Sequence, residues 1–218
     1  MSIIDVWLEY YPIFLKGALG TLEFAAIAVF FGTLIGTFIA IMHLSKFKIL
    51  QWIAKIYTTV LRGTPLLVQM YMAYFFIPMA FPVLDLPKEV CVVLSMVLNS
   101  SAYVSEIIRG GILSVDKGQT EAARSLGMSA SHCMTKIVLP QAVKAILPSL
   151  AGEYIVMIKE ASLAGTFMLY ELMFTRVLLA NKFLMWQPLF IISGMYLAMT
   201  LVLTALVSLL EKRFSERD

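Results

Sequence analysis

Charge is what this sequence has least of. Asp, Glu, Lys and Arg make up 14% of its 218 residues, while apolar residues reach 60%. A soluble domain runs at about 25% charged and 45–50% apolar. That imbalance excludes an intrinsically disordered chain, a nucleic-acid binder and an ordinary cytosolic enzyme. The net charge of +3 is too small to name an anionic partner. Cysteine and histidine are nearly absent, with two of each. Cys91 and Cys133 form no CxxC or metal pattern, and His43 and His132 have no metal-ligand spacing. The thiols read as small apolar residues on opposite sides of a bilayer, so no intramolecular disulfide and no metal site is expected. No G-x-x-x-x-G-K-[ST] occurs, so this chain does not build the loop that cradles ATP phosphates. The first residues carry Asp5, Glu9 and a single cation, Lys16, so they are not expected to be a cleaved signal peptide. There is no internal repeat and no low-complexity tract. One domain is expected over 1–218, with a core of about 19–211.

What is present is hydrocarbon-compatible length. Runs free of Asp, Glu, Lys and Arg cover 24–45, 63–84, 90–105 and 183–210. A fifth apolar region, 139–169, is interrupted by Lys144, Glu153, Lys159 and Glu160. At about 20 residues per crossing, the sequence predicts an all-α membrane protein with five spans, near 19–43, 56–79, 88–109, 142–163 and 187–210. A small outer helix is expected within 167–182. Basic residues set the orientation. With the N-terminus outside, the inner segments hold Lys46, Lys48, Lys55, Arg109, Lys117, Arg124, Lys136, Lys144, Lys212, Arg213 and Arg217. The outer segments hold only Lys16, Lys88, Arg176 and Lys182. The N-terminus is therefore expected outside and the C-terminus in the cytoplasm. Trp7, Trp52 and Trp186 then fall near the interfaces, as an aromatic belt does.

The longest inner segment, between spans three and four, carries the most specific pattern. Glu121-Ala122-Ala123 is followed by three residues, Gly127, nine residues, then Ile137-Val138-Leu139-Pro140. This predicts a short helix, a glycine turn and a second helical stretch stopped by Pro140, which suits the first turn of the next span. Small alanines leave backbone open to a partner surface.

Ionisable residues at membrane depth point to a site, because a charge near the bilayer centre costs about 2.5–3.5 kcal/mol on insertion scales. Glu153 lies within a residue of the middle of span four, and Asn99 lies at the middle of span three. Asn99, Tyr103 and Glu106 share one helical face at i, i+4 and i+7, as do Glu153, Met157 and Glu160. If these faces meet they enclose a polar pocket, with Ser162 and Gln69 as second contributors. Glu153 would accept a substrate cation, an α-ammonium or a basic side chain, and Asn99 would bond a carboxylate or amide. Glu106 reads as an ion pair with Arg109 that anchors the loop, Arg62 as snorkelling or pairing with Glu106, and Glu23 as a wet residue at a helix end.

The loop spacing EAA-x3-G-x9-I-x-LP resembles the EAA loop of permease subunits from bacterial ABC importers. Arg62-Gly63-Thr64-Pro65-Leu66-Leu67-Val68-Gln69, Asn99-Ser-Ser-Ala-Tyr103, Glu106-Ile-Ile-Arg109-Gly110-Gly111, Gly118-Gln119, Gly152-Glu153-Tyr154 and Lys159-Glu160-Ala-Ser162 are similar to segments of the polar amino-acid permeases. One departure is Gly152, where the family often has Asn before the glutamate. The resemblance implies a type I importer of the bacterial cytoplasmic membrane. Two permease copies, identical or related, would form the pore, a pair of ABC ATPase subunits would bind ATP and Mg, and an extracytoplasmic binding protein would deliver the amino acid. Glu121, Ala122, Ala123 and Gly127, in a coupling loop of about 117–140, would dock on the ATPase. The chain would then be a transport subunit, not an enzyme, with no cofactor of its own. The rival readings are an ion-coupled secondary transporter using Glu153 and Glu160, disfavoured by the missing repeat, and a non-transporting adaptor, disfavoured by the polar midplane. Which amino acid is carried stays open.

Overall fold

The computed structural model describes residues 2–180 and 186–215, together with backbone alone at the end of the last helix. The described residues are almost wholly helical and contain no strand. In chain order the helices are α1 (Ile3–Leu44), α2 (Lys48–Gly63), α3 (Leu66–Ala80), α4 (Lys88–Leu113), α5 (Lys117–Ser125), α6 (Ala130–Cys133), α7 (Leu139–Glu160), α8 (Thr175–Leu179) and α9 (Trp186–Ser215). Four helical stretches are long and apolar enough to cross a membrane, and a fifth span results if α2 and α3 count as one broken span. Lys182 and Arg217, used in the charge count, lie outside the described residues.

Two elements differ from expectation. The first helix begins at Ile3 rather than near residue 19. Its 42 residues make about 63 Å at 1.5 Å per residue, twice the hydrocarbon thickness. Its start is fixed by a capping box, in which the Asp5 N–H donates to Ser2 Oγ (3.2 Å) and the Ser2 N–H to Asp5 Oδ2 (2.8 Å). Glu23 is consequently an exposed mid-helix residue, not a helix end. The second span is broken: α2 and α3 meet at 105°. Pro65 has no N–H to continue α2 and holds Thr64 extended, at φ −120° and ψ 145°.

The core is a bundle of α1, α3, α4 and α7. Gly32 and Gly36 form one small-residue face of α1. A Cβ on Gly36 would lie 2.7 Å from the Ser101 carbonyl oxygen, and one on Gly32 3.0 Å from the Ser100 side chain. In a bilayer, where apolar burial does not drive helices together, such close backbone approach supplies the packing. Ala25, Ala28, Met70, Val92, Met96, Met157 and Ile158 fill the core beside this joint, and the Tyr154 hydroxyl ties α7 to α1 through the Leu22 carbonyl (3.2 Å). Cys91 and Cys133 are both buried, as expected of inert thiols.

Candidate functional site

Breaking a helix inside a membrane frees backbone carbonyls that water cannot reach, and they need internal partners. Two side-chain amides supply them. Gln69 Nε2 donates to the Leu61 carbonyl (2.7 Å) and the Thr64 carbonyl (3.1 Å). Asn99 Nδ2 donates to the Leu61 carbonyl (3.2 Å) and to Gln69 Oε1 (3.1 Å). The bend is thereby locked to the middle of α4, and the Tyr57 hydroxyl adds a contact of 2.6 Å to Ser101 Oγ.

A cavity of about 360 Å³ opens beside this bend. One wall is the broken segment 62–66, the second is Asn99 and Tyr103 of α4, and the third is Glu153, Met157 and Glu160 of α7. The polar faces of α4 and α7 do meet: the Ser100 hydroxyl donates to Glu153 Oε1 at 3.0 Å. Glu153 is 7% exposed, so its remaining lone pairs face the cavity. Five of the seven residues expected at the pocket line it. Gln69 and Ser162 do not: Gln69 is occupied with the bend, and the Ser162 hydroxyl donates to the Lys159 carbonyl (2.6 Å).

Arg62 is the lining residue the sequence undervalued. Its guanidinium stacks over Tyr103, 5.2 Å from the ring centroid, and lies 3.9 Å from Glu106 Oε2. Glu106 is held more tightly by Arg109 Nη2, at 2.7 Å, as the loop-anchoring pair predicted. His43 is half-buried, with Nε2 3.5 Å from Glu106 Oε1. The cavity therefore brings a basic side chain, Arg62, opposite two acidic ones, Glu153 and Glu160.

Comparison with known proteins decides the family. The profile described as "Binding-protein-dependent transport system inner membrane component" matches residues 32–216. The chain belongs to that family. Among relatives of this permease, a putative glutamine transport system permease of Rickettsia felis is 37% identical over 97% of this chain and 98% of its own length. The arginine transport system permease ArtQ of Bacillus subtilis is 34% identical over 95% and 94%. A crystal structure of an amino acid ABC transporter with histidines contains a chain 40% identical, with a TM-score of 0.91 over 98% of this permease and 99% of that chain. The permease is thus a multi-pass protein of the inner membrane, as the apolar spans required. Membership also removes both rival readings, the ion-coupled carrier and the adaptor.

The loop between α4 and α7 is built as a helix, a glycine turn and a second helix. α5 begins at Asp116, whose Oδ1 accepts from the Gly118 N–H at 2.7 Å. It ends in a Schellman motif, with Met128 N–H to the Ala123 carbonyl (3.1 Å) and Gly127 N–H to the Arg124 carbonyl (3.0 Å). Gly127 has φ +84° with open space around it, the left-handed conformation its type was expected to supply. Pro140, expected to stop the second stretch, does not. It sits in the first turn of α7, and the chain widens into a π turn over Met134–Val138 just before it. Ala123, Cys133 and Val138 are buried together under Ile112 and Met128, so the loop is anchored to both neighbouring spans. Leu126, at the tip, is 85% exposed.

At the far end of the bundle lies a residue the sequence did not single out. Glu171, wholly buried, follows a one-turn-tight helical run over Ala161–Phe167 that ends with Met168 in the left-handed region. Its Oε2 accepts from the Met173 N–H (2.7 Å) and the Tyr196 hydroxyl (2.9 Å), and its Oε1 from the Phe174 N–H (2.6 Å). Thr21 Oγ1 accepts from the neighbouring Leu172 N–H at 3.0 Å. One carboxylate thus gathers α1, the segment before α8 and α9. Burial pushes its pKa up to about 7. A glycine-sized gap at Gly165 makes room for it, since a Cβ there would meet Glu171 Oε1.

Proposed function

We propose that this permease moves polar amino acids inward by alternating access, and that the cavity at the α2–α3 bend holds them as zwitterions. Glu153 takes the α-ammonium or a basic side chain. Arg62 takes the α-carboxylate through its fork of N–H donors, Asn99 Oδ1 accepts from the ammonium or a side-chain amide because its Nδ2 is spent on the bend, and Tyr103 and Met157 are the apolar walls. The observation that carries this reading is one cavity with a cation on the bend and two carboxylates on α7 facing it. Relatives named for glutamine and for arginine support it, and the second carboxylate, Glu160, favours a basic side chain over a neutral one.

The energy source lies on partners. An ATPase pair binds ATP and Mg and grips Glu121, Ala122, Ala123 and Gly127, with exposed Leu126 as the apolar contact. A binding protein loads the opposite face, and a second permease copy completes the pore. The N-terminus lies outside, and the basic end that carries α5 faces the cytoplasm.

Uptake by the Glu153→Gln variant, at equal expression, tests the site. The substitution keeps size and the Ser100 contact but removes the charge. Loss of a charge-assisted hydrogen bond of about 1.5–3 kcal/mol weakens the site about 10- to 150-fold. Transport at the wild-type rate and affinity would make Glu153 structural and displace the pocket. Loss confined to basic substrates would show that Glu153 meets the side chain, and equal loss for all would place it on the α-ammonium.

A further inference from the structure

Nearer the basic end, a second and larger cavity of about 490 Å³ lies between α2, the end of α1 and α4. Its polar wall is one face of α2, with Lys55, Thr58, Thr59 and Arg62, and its opposite wall is Glu106 and Arg109 of α4. The other face of α2, with Ile49, Ile53, Ile56 and Val60, is turned away and exposed. Arg62 borders both this cavity and the one at the bend.

The charges here do not balance. Lys55, Arg62 and Arg109 face a single carboxylate, a surplus of two positive charges. Glu106 gives its Oε2 to Arg109, which donates from both Nε (3.1 Å) and Nη2 (2.7 Å), while its Oε1 lies 3.5 Å from Nε2 of His43, which also lines the cavity. Arg62 at 3.9 Å is beyond hydrogen-bond length from the same oxygen. Lys55 lies only near the Trp52 ring, at 5.8 Å. Two cations and the Thr59 hydroxyl therefore border a space of ligand-binding size, and among the described residues Glu106 is its only carboxylate.

We infer that this cavity is a second amino-acid site, which takes the α-carboxylate of a substrate molecule on Lys55 and Arg62 and its ammonium against Glu106. The inference rests on the zwitterion reading of the cavity at the bend. Arg62 is the hinge between them. It offers one edge of its five-donor guanidinium to the carboxylate of a molecule at the bend and the other edge to that of one in the basic cavity, so both sites fill at once while Tyr103 keeps its stacking face. A carboxylate handed from one side of a single Arg to the other crosses no stretch of uncompensated membrane. A permease whose inner site is filled also retains its product, so a high concentration of amino acid on the basic side slows release.

The test is binding stoichiometry. The assembled transporter, permease with its ATPase and without binding protein, is dialysed against radiolabelled arginine, glutamine and agmatine, the last being arginine without its carboxylate. Two sites per permease chain are expected for arginine or glutamine. Lys55→Glu, at an exposed position that packs against nothing in the core, should weaken one of them at least tenfold, and Lys55→Gln to a smaller extent. Agmatine should fill the site at the bend at most. Glu153→Gln should weaken the other site alone. A single site per chain, lost in Glu153→Gln, overturns the inference and leaves the proposed pocket standing. Two sites of which neither responds to Glu153→Gln overturn the pocket instead. Two sites that both survive Lys55→Glu, agmatine binding as well as arginine at the second site, or inorganic phosphate filling it while amino acids do not, also overturn the inference.

Discussion

A buried carboxylate can be a site or a staple, and the identity of its donors separates the two. Glu153 has one hydroxyl donor and a cavity beside it. Glu171 has two backbone N–H groups and a phenol on its two oxygens and is wholly buried. Glu171→Ala leaves three donors buried without an acceptor, which costs about 3 kcal/mol or more. The apparent Tm of the detergent-solubilised permease should fall by about 6 °C or more, and an unchanged Tm would show that the far end is not held by this residue. Its pKa of about 7 in the folded state lies above the ordinary glutamate value, so the folded state holds the proton longer than the unfolded one. The group's contribution is therefore full at low pH and declines as pH rises through about 7. The Tm difference between wild type and Glu171→Gln should shrink from about pH 5 to about pH 8. Glu153 and Asn99 were legible in the sequence because depth along a span is a count of residues. Glu171 was not, because its partners are the N–H groups of its own turn, and no spacing reveals where a turn closes.

Among the elements, the spans themselves followed from composition, but two features that give the bundle its shape did not. The bend between α2 and α3 was hidden inside one apolar run, where Arg62-Gly63-Thr64-Pro65 reads equally as the start of a straight span. The amide bonds from Gln69 and Asn99 tie the break to the middle of α4, and they explain why Gln69 serves the backbone rather than a ligand. The joint of α1 with α4 was missed for a different reason. Glycine is uncharged and near neutral in hydropathy, so Gly32 and Gly36 pass unnoticed in a run read for apolarity. Gly36→Val should part the two helices, since its Cβ would press on the Ser101 carbonyl at 2.7 Å and on Val104 at 3.0 Å. Overpacking of this kind costs about 1–3 kcal/mol. The measurement is thermal stability of the purified variant, with Val104→Ala added to it. Partial recovery in the double variant is expected because the two side chains share one space. A Gly36→Val protein as stable as wild type would mean that the helices do not approach this closely in the bilayer.

Across the whole molecule, the loop joins the two spans, α4 and α7, that wall the cavity beside the bend. α4 carries Asn99, Tyr103 and Glu106 in its middle and later turns and leads through residues 114–116 into α5. α7 carries Glu153 and Glu160 and begins at the π turn that follows α6. The loop therefore sits on the ends of the two helices that wall the cavity, and the small cluster of Ala123, Cys133 and Val138 under Ile112 makes it a rigid extension of both. In the proposed coupling, a push on α5 reaches the cavity walls through this cluster. That transmission depends on the shape of one turn. At φ +84° an L side chain costs roughly 1–2 kcal/mol, and a β-branched one is least able to comply. Gly127→Val should break the Schellman bonds, loosen the loop, and lower substrate-stimulated ATP hydrolysis while leaving membrane insertion and amino-acid binding at the bend intact. Asn tolerates the left-handed region, so Gly127→Asn should retain most of the coupling. The pair separates backbone geometry from contact: the open space around Gly127 admits either side chain, and if the ATPase simply requires a flush surface there, both variants fail alike. The ratio of substrate-stimulated to basal ATPase activity, measured in proteoliposomes with the binding protein present, decides it, and full coupling in a correctly folded Gly127→Val transporter would remove this turn from the path between ATP and the cavity.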